Sequence, residues 1–408
     1  MAKQKINGRS AFLQLLIDEG VTHLFGNPGT TELPVMEVIS QFPQLKYVLG
    51  LQESVVMATA DGFSRATGKI SAVNLHCAPG LGHAMGALYS AKFSGSPVIV
   101  TAGQYEIGHG LTEPLLYDAL VPIAQPLVKW AVEVERIEDL PRIVHRAAKI
   151  ALTPPTGPVF ISLPGSILDE DAELDLGFPS RVDRSTRPSD GVIASVAGRI
   201  LQARRPVILA GRELADHEAF DEAGRFAQAI GAAVYLGSAQ YNARFPSNHP
   251  LNLGDIGRNQ ERVRATLSQY DLLICLGGDL LRMSPYSPTE PLPDNLSVIH
   301  ISERDWELGK NYPTETALCA NVKETLCALL PALASRTDAV YASAATARCT
   351  EIAKENWSSK RAANDGTGNK TARHADLART PNGAHQRSNS GQRDRRRGAP
   401  KETLQKSA

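Results

Sequence analysis

Apolar and polar residues alternate along this chain in two successive blocks. From Ser10 to Leu163, short apolar runs each end in a glycine-rich or polar turn, and most segments between them carry apolar residues at helical spacing. This order is typical of a parallel sheet wrapped by helices and predicts one α/β domain. The predicted strands are Thr22–Phe25, Tyr47–Leu51, Ile70–His76, Pro97–Thr101 and Pro158–Leu163, and the predicted helices begin near Thr31, Ser54, Gly82 and Ile137.

The second block begins after Asp169 to Asp190, an acidic and then polar stretch that is typical of a linker. Its alternation predicts another doubly wound unit that ends near Leu333. The predicted helices are Gly191–Ala203, His217–Ile230, Glu261–Gln269 and Asn321–Leu330, and the predicted strands are Pro206–Ala210, Ala233–Tyr235, Asp271–Leu276 and Ser297–Ile301. We therefore expect an α/β fold with two doubly wound parallel-sheet domains, at residues 1–168 and 191–335, joined by a linker at 169–190 and followed by a connecting segment at 336–357.

The pattern ends after Trp357. From Ser358 to Ala408 the only large apolar residues are Leu377 and Leu404, and twelve Lys/Arg stand against four Asp/Glu. Such a stretch cannot form a core, so residues 358–408 are predicted to be a disordered basic tail. The tail has no aromatic residue and no periodic basic face, which argues against nucleic-acid binding. Its composition also fits an out-of-frame product in place of a further domain, a hypothesis that the downstream reading frames would test.

The cysteines and the N-terminus indicate the cellular compartment in which the protein resides. The five cysteines form no CxxC pair and no metal-ligand spacing, which fits a reducing compartment. The apolar run from Ala11 to Ile17 is too short and too amphipathic for a signal peptide or a membrane span. We expect a cytoplasmic protein without a membrane segment.

Candidate chemistry lies in the turns after the first three predicted strands. These turns are Gly26 to Glu32, Gln52-Glu53 and His76 to His83. Because parallel sheets bind ligands outside the carboxyl ends of their strands, we expect the three turns to meet at one edge. Taken singly, each turn also has a purely structural explanation. The first turn could cap a helix, and Glu53 could be a carboxylate at the positive end of a helix dipole. His76 could be a hydrogen-bonded histidine and His83 a solvated one.

In combination, these motifs closely resemble the pyrimidine-binding domain of thiamine diphosphate enzymes. The motifs are Asn27-Pro28-Gly29, Leu51-Gln52-Glu53 with Ala60-Asp61-Gly62, Asn74-Leu75-His76 with Gly80 to Gly86, and Ser96-Pro97-Val98 leading to Thr101 to Gln104. The resemblance runs from Gly8 to about Pro164. The second unit is similar to the family's central domain, so about four fifths of the chain is covered. Within the family, benzoylformate decarboxylase looks most similar, with acetolactate synthase next.

The resemblance implies roles for the matching residues. Glu53 would hydrogen-bond the aminopyrimidine of thiamine diphosphate and favour the tautomer that accepts the thiazolium proton. A partly dry site formed with Leu51, Val55 and Val56 would raise the Glu53 pKa. His76 would face the substrate and assist proton transfer. The other implied contacts are Asn27, Pro28, Gly29, Gly80 and Gln104 for the cofactor, and Thr30 and Ser284 for the substrate.

Ser284 marks a departure from the benzoylformate enzyme, which presents a histidine at that position. A serine cannot replace an imidazole as acid or base at neutral pH, which argues against benzoylformate itself as the substrate. Acetolactate synthase also binds FAD on its central domain, and the sequence offers little support for FAD here. The expected function is therefore 2-oxo acid decarboxylation or carboligation, with the particular 2-oxo acid left open.

The family binds the diphosphate and Mg²⁺ on a third domain through a Gly-Asp-Gly motif and a downstream Asn. Gly278-Asp279 and Asn364 to Asn369 are lookalikes without the strand or spacing of that motif. We therefore expect a chain that is inactive or weak alone, from a lineage of homodimers or homotetramers whose active sites lie between chains. The alternative is a non-catalytic subunit that donates Glu53 to a separate diphosphate-binding chain.

Overall fold

The computed structural model describes residues 3–183, 185–238 and 243–359. Residues 360–408, nearly all of the predicted disordered tail, lie outside the described residues. The chain separates into two units, Met1–Asn356 and Trp357–Ala408, and the three sheets of the described residues belong to the first unit.

The N-terminal block forms a six-stranded sheet with all neighbouring strands parallel, in the order β3-β2-β4-β5-β7-β6. Successive residues of a strand point to opposite faces, and in β4 Ala72 packs into one apolar cluster while Val73 and Leu75 pack into another. Helices α1, α2 and α6 cover the first face and α3, α4 and α5 the second. The elements of this block are β1 (Gln4–Asn7), α1 (Gly8–Asp18), β2 (His23–Gly26), α2 (Leu33–Val38), β3 (Lys46–Leu49), α3 (Glu53–Thr67), β4 (Ser71–His76), α4 (Cys77–Ser94), β5 (Val98–Gln104), α5 (Leu120–Ala124), β6 (Ala131–Glu133), α6 (Leu140–Leu152), β7 (Val159–Pro164), α7 (Gly165–Asp169) and β8 (Asp171–Leu174).

The second block repeats this architecture with a second parallel sheet in the order β11-β10-β9-β12-β13-β14. Its elements are α8 (Asp190–Leu201), β9 (Pro206–Ala210), α9 (Glu213–Asp216), α10 (Phe220–Ile230), β10 (Ala233–Leu236), β11 (Asn252–Asp255), α11 (Gln260–Leu267), β12 (Leu272–Leu276), β13 (Ser297–Ser302), β14 (Thr316–Cys319), α12 (Val322–Ala334) and α13 (Ala339–Lys354). The predicted α/β class with two doubly wound parallel sheets is confirmed. None of the described helices has the length and apolar content that a membrane crossing requires.

Three local predictions differ from the structure. The predicted linker begins with strand β8, which pairs antiparallel with β1 so that Ala172 lies opposite Ile6. Helix α4 begins at Cys77 rather than near Gly82, and the predicted connecting segment contains α13. Arg348 on α13 donates to the backbone oxygen of Ile230 at 2.9 Å, so this helix packs against the end of α10.

The strand order of the first sheet positions the site. Strand β2 lies between β3, which follows it in sequence, and β4, which comes after β3, so the direction of winding reverses between β2 and β4. At such a reversal the loops leave in opposite directions and open a crevice at the carboxyl ends of the strands. Gly26 ends β2 there, and a Cβ on it would lie 2.0 Å from the Tyr47 hydroxyl oxygen, so the close strand contact needs a glycine.

Candidate active site

The loops that follow β2, β3 and β4 meet at this edge of the sheet. Asn27, directly after β2, donates from Nδ2 to Glu53 Oε1 at 3.0 Å. His83 on α4 lies with Nδ1 3.0 Å from the other oxygen, Glu53 Oε2. The predicted convergence of the three turns is therefore present in the structure, with the Glu53 carboxylate at its centre.

Local sequence explains why Glu53 lies at a helix start. The extended backbone of Gln52 places its side chain as the N-cap of α3, where Oε1 accepts from the Ser54 backbone N at 2.8 Å. Glu53 is then the first residue of α3, where the positive end of the helix dipole favours a carboxylate. Only 9% of Glu53 is exposed, so the carboxylate lies in the crevice rather than on the open surface.

The prediction of a raised Glu53 pKa is wrong. Burial does raise the pKa, but hydrogen bonds from the Glu53 backbone amide, His83 and Asn27 outweigh it and hold the pKa below the usual 4.5. The predicted dry surroundings are also incomplete, since Leu51 is 89% exposed and Val55 57% exposed, whereas Val56 is buried. In this chain Glu53 is therefore an ionised hydrogen-bond acceptor at neutral pH.

Glu32 organises the neighbouring histidine, a role that the sequence did not reveal. The Glu32 side chain is buried and accepts from the backbone N of Gly29 at 2.8 Å, the Thr31 hydroxyl at 2.7 Å and the backbone N of Gly103 at 3.0 Å. His76 Nδ1 lies 2.9 Å from Glu32 Oε2. With three donors already on its two oxygens, Glu32 also accepts at this contact, and His76 donates from Nδ1.

This arrangement leaves His76 Nε2 as the ring atom available for chemistry. The His76 side chain is 22% exposed, and no described side chain or backbone group is hydrogen-bonded to its Nε2. In the neutral ring Nε2 then carries the lone pair, because Nδ1 carries the hydrogen. The predicted proton-transfer role of His76 stays a prediction, but its geometry is compatible with it.

The side chains of His76 and Glu32 pack closely against two glycines, and the residue after His76 has a strained backbone. A Cβ on Gly29 would lie 2.4 Å from the His76 ring, and a Cβ on Gly103 would lie 2.1 Å from Glu32 Oε1. Cys77 directly follows His76 with φ of 47°, in the left-handed region that is uncommon for residues with a side chain. Strain of this kind often accumulates at functional sites, where the surrounding structure enforces it.

The remaining residues that were predicted to contact the cofactor or the substrate differ in burial and in their neighbours. A Cβ on Gly80 would lie 3.5 Å from Glu53 Oε1, so Gly80 borders the carboxylate. Pro28 is half-buried and Thr30 is exposed in the loop after β2. Gln104 is buried and donates from Nε2 to the backbone oxygen of Asp118 at 3.0 Å, so it holds the loop that follows β5.

Ser284 is exposed and lies away from these loops within one chain. Two residues before it, the Arg282 guanidinium stacks 4.4 Å from the centre of the Phe93 ring. Phe93 is sixteen residues along α4 from Cys77, a distance of about 24 Å at 1.5 Å per residue. The structure therefore does not bring Ser284 to Glu53, and a role in substrate binding would require a second copy of the chain.

Of the two metal-motif lookalikes, only Gly278-Asp279 lies among the described residues. Asp279 pairs with the Arg282 guanidinium at 2.7 Å, and Asn364 to Asn369 lie outside the described residues. Across residues 3–183, 185–238 and 243–359, no three His, Cys, Asp or Glu side chains cluster as metal ligands would.

The crevice of the central sheet, where FAD would bind, is partly filled by protein groups. Winding reverses between β9 and β12, where a dinucleotide would place its pyrophosphate. A Cβ on Gly211 would lie 2.3 Å from the backbone oxygen of Gly277, so the two loops are already in contact. Glu213 fills the same position, where it is buried and accepts from Ser302 Oγ at 2.7 Å and from the backbone N of Glu303 at 3.0 Å.

Comparison with known proteins agrees with the site. Residues 6–115 match the model of the thiamine pyrophosphate enzyme N-terminal TPP binding domain, and residues 193–329 match that of the thiamine pyrophosphate enzyme central domain. Benzoylformate decarboxylase of Pseudomonas aeruginosa is 30% identical over 325 residues, which are 79% of this chain and 61% of that protein. The acetolactate synthase large subunit of Buchnera aphidicola subsp. Acyrthosiphon pisum is 26% identical over 332 residues, which are 79% of this chain and 57% of that protein.

A solved structure supports the same relationship. The thiamine diphosphate-dependent 4-hydroxybenzoylformate decarboxylase of Rhodococcus jostii RHA1 has a TM-score of 0.74 and 32% identity, and the match covers 80% of this chain and 62% of that chain. The chain spans about three fifths of the length of the curated relatives it matches. By its N-terminal and central domains, the chain belongs to the thiamine pyrophosphate (thiamine diphosphate) enzyme family.

Proposed function

We propose that this protein supplies the aminopyrimidine-activating half of a thiamine diphosphate-dependent 2-oxo acid decarboxylase or carboligase. The observation that carries the proposal is the Glu53 carboxylate, held between Asn27 and His83 at the reversal point of the first sheet. The names of the relatives, benzoylformate decarboxylase and acetolactate synthase, support this class of reaction.

The residues around Glu53 fit an aminopyrimidine ring. Each carboxylate oxygen has two acceptor positions, and Asn27 and His83 use one on each oxygen. Gly80 lacks a side chain beside Oε1, which leaves space for a flat ring to approach the carboxylate. A protonated ring nitrogen could therefore donate to Glu53 without displacing either present partner.

The proposed roles follow from the placement of each group. When bound, thiamine diphosphate would supply a thiazolium carbon acid for reaction with a 2-oxo acid. Glu53 binds the ring nitrogen and exchanges a proton with it. His76, fixed through Nδ1 by Glu32, offers Nε2 for proton exchange with the substrate, and the exposed Thr30 hydroxyl lies in the adjoining loop.

Calorimetric titration with thiamine diphosphate and Mg²⁺ tests this proposal directly. We expect the unsubstituted chain to bind and Glu53→Gln to bind about tenfold more weakly or worse, because a charge-assisted hydrogen bond is lost. Glu106→Gln is the matched control, since Glu106 is an exposed glutamate paired with His109. Equal binding by Glu53→Gln, or no binding by the unsubstituted chain, would refute the proposal.

We also infer that turnover requires a diphosphate-binding domain beyond the described residues, because Asp279, in the described lookalike of the family's Gly-Asp-Gly motif, is paired with the Arg282 guanidinium. Thiamine diphosphate and Mg²⁺ with pyruvate or benzoylformate as trial substrates should therefore give little product from the chain alone. Rapid decarboxylation by the purified chain would contradict this inference. A partner chain recovered by affinity capture that carries the diphosphate-binding domain would favour the non-catalytic subunit instead.

Exposed apolar side chains support assembly into a homodimer or homotetramer. Leu51 is 89% exposed, and Val55 on α3 and Tyr89 on α4 are each 57% exposed. Clustered apolar surface of this kind commonly marks a protein interface. Light scattering after gel filtration should show a dimer or tetramer that Val55→Glu dissociates, whereas a monomer at micromolar concentration would count against assembly.

A further inference from the structure

His83 has no role in the predictions made from the sequence, yet it contacts the central carboxylate. Gly80 and His83 are three residues apart on α4, so they share one face of the helix. That face is directed at Glu53, because a Gly80 Cβ would lie 3.5 Å from Oε1 and His83 Nδ1 lies 3.0 Å from Oε2. The contact therefore follows from helical spacing and is not a chance meeting of surface side chains.

The hydrogen bond determines where the His83 proton lies. An ionised carboxylate only accepts hydrogen bonds, so His83 must donate to Glu53 from Nδ1. The His83 side chain is 61% exposed, which leaves the opposite ring atom, Nε2, accessible to water. His83 thus connects a nearly buried carboxylate to solvent through a single ring.

The other groups that face Glu53 cannot do this. Asn27, from the loop after β2, donates an amide hydrogen but does not titrate, and Gly80 has no side chain. On its own helix, Glu53 is bonded by its backbone amide. Among the described residues, His83 is the titratable group whose hydrogen bond and charge act on Glu53.

We propose that His83 is a positioning residue for Glu53 that also exchanges protons between this carboxylate and solvent. The proposal rests on the proposed function, because a Glu53 proton is needed only where an aminopyrimidine binds. In the forward direction, a hydronium ion protonates Nε2 to give the imidazolium and leaves as water, the Nδ1–H bond breaks and an O–H bond forms at Glu53 Oε2. The imidazole is left neutral with its hydrogen on Nε2, and the reverse steps return the proton to water.

Two substitutions separate positioning from proton exchange. In His83→Asn the amide nitrogen is bonded to Cγ, as Nδ1 is in histidine, so it can still donate to Glu53 but cannot titrate near neutral pH. His83→Ala removes both properties. His109→Asn is the matched control, because His109 is also an exposed histidine paired with a glutamate, at 3.4 Å from Glu106.

The first measurement needs no cofactor: carbon NMR of the labelled Glu53 carboxyl during a pH titration. The unsubstituted chain should show the Glu53 midpoint and a second inflection that depends on the His83 imidazole. His83→Asn should lose only the second inflection, His83→Ala should also shift the Glu53 midpoint upward, and His109→Asn should change neither. An unchanged midpoint in His83→Ala, or a second inflection that persists in His83→Asn, would overturn the proposal.

The second measurement is thiamine diphosphate and Mg²⁺ binding by the same variants. Affinity should fall about tenfold in His83→Ala and by about twofold at most in His83→Asn, since the asparagine restores the charge-assisted hydrogen bond. Equal affinity in His83→Ala and the unsubstituted chain would overturn the positioning role. Coupled titration without cofactor binding by any variant would instead show that the proposed function has failed.

Discussion

His76 Nδ1 lies 2.9 Å from Glu32 Oε2, and this hydrogen bond joins the end of β4 to the loop that follows β2. The same Glu32 carboxylate accepts from the backbone of Gly103 at the end of β5, so one buried side chain connects three neighbouring strands of the sheet. The orientation of His76 therefore depends on a residue that does not itself face the crevice.

Glu32→Gln should destabilise the protein and release His76. A glutamine has one acceptor oxygen and an amide group that donates. The backbone N–H of either Gly29 or Gly103 would therefore lose its acceptor, which costs about 1–3 kcal/mol of folding free energy. Urea unfolding measures this loss, and nitrogen NMR of the His76 ring should show that the hydrogen no longer stays on Nδ1. Glu37→Gln, at a side chain that is 67% exposed, is the control, and identical unfolding midpoints for the two variants would contradict the prediction.

Gly29→Ala should disturb the same histidine by steric overlap. The added Cβ would lie 2.4 Å from the His76 ring, so the ring or the loop must move, at a cost of about 1–3 kcal/mol. Gly62→Ala provides the contrast, because a Cβ there meets nothing within 4 Å and Gly62 lies inside α3, where alanine should stabilise by about 0.5–1 kcal/mol. Thermal unfolding of both variants tests this prediction. Equal changes in the unfolding temperature would contradict it and show that the loop can adjust freely.

Glu53 should make the free energy of unfolding depend on pH in the acid range. Its pKa in the folded chain lies below the usual 4.5, so the folded state favours the ionised form more than the unfolded state does. The stabilisation is complete above pH 4.5 and is lost as the pH falls through the lower folded value. The free energies of unfolding of the unsubstituted chain and of Glu53→Gln, measured with urea, should therefore converge below pH 4.5. A constant difference between the two across this range would disprove the linkage.

Glu19→Gln should loosen the segment that follows β8. The buried Glu19 carboxylate lies 2.5 Å from both His145 Nδ1 and Arg181 Nη1, so a glutamine would weaken its hydrogen bonds to both partners, at a cost of about 1.5–3 kcal/mol. Unfolding and faster tryptic cleavage after Arg181 would report the loss. Asp169→Asn, which breaks an exposed pair with Arg9, should cost about 1 kcal/mol or less, and equal cleavage rates for the two variants would contradict the prediction.

The hydrophobic pattern predicts the buried strands well. Strand β9 is predicted at its observed bounds, Pro206–Ala210, because it is a continuous apolar run that ends at a glycine. Strand β4 is predicted to within one residue, although Asn74 interrupts its apolar residues. Edge strands were missed for the opposite reason. Strand β14 is mostly exposed or half-buried, and β8 exists through its pairing with β1, about 165 residues earlier in the chain.

By itself, the sequence determined the class of fold, the family and the placement of Asn27 and Glu53 at one sheet edge, because periodicity and short motifs are local properties of a chain. Only the tertiary structure decided which groups surround each carboxylate. The four donors to Glu32 come from the loop after β2 and from the ends of β4 and β5, and His83 reaches Glu53 across thirty residues. The direction of the Glu53 pKa shift follows from those donors, which outweigh burial, and no count of apolar neighbours along the sequence could weigh the two.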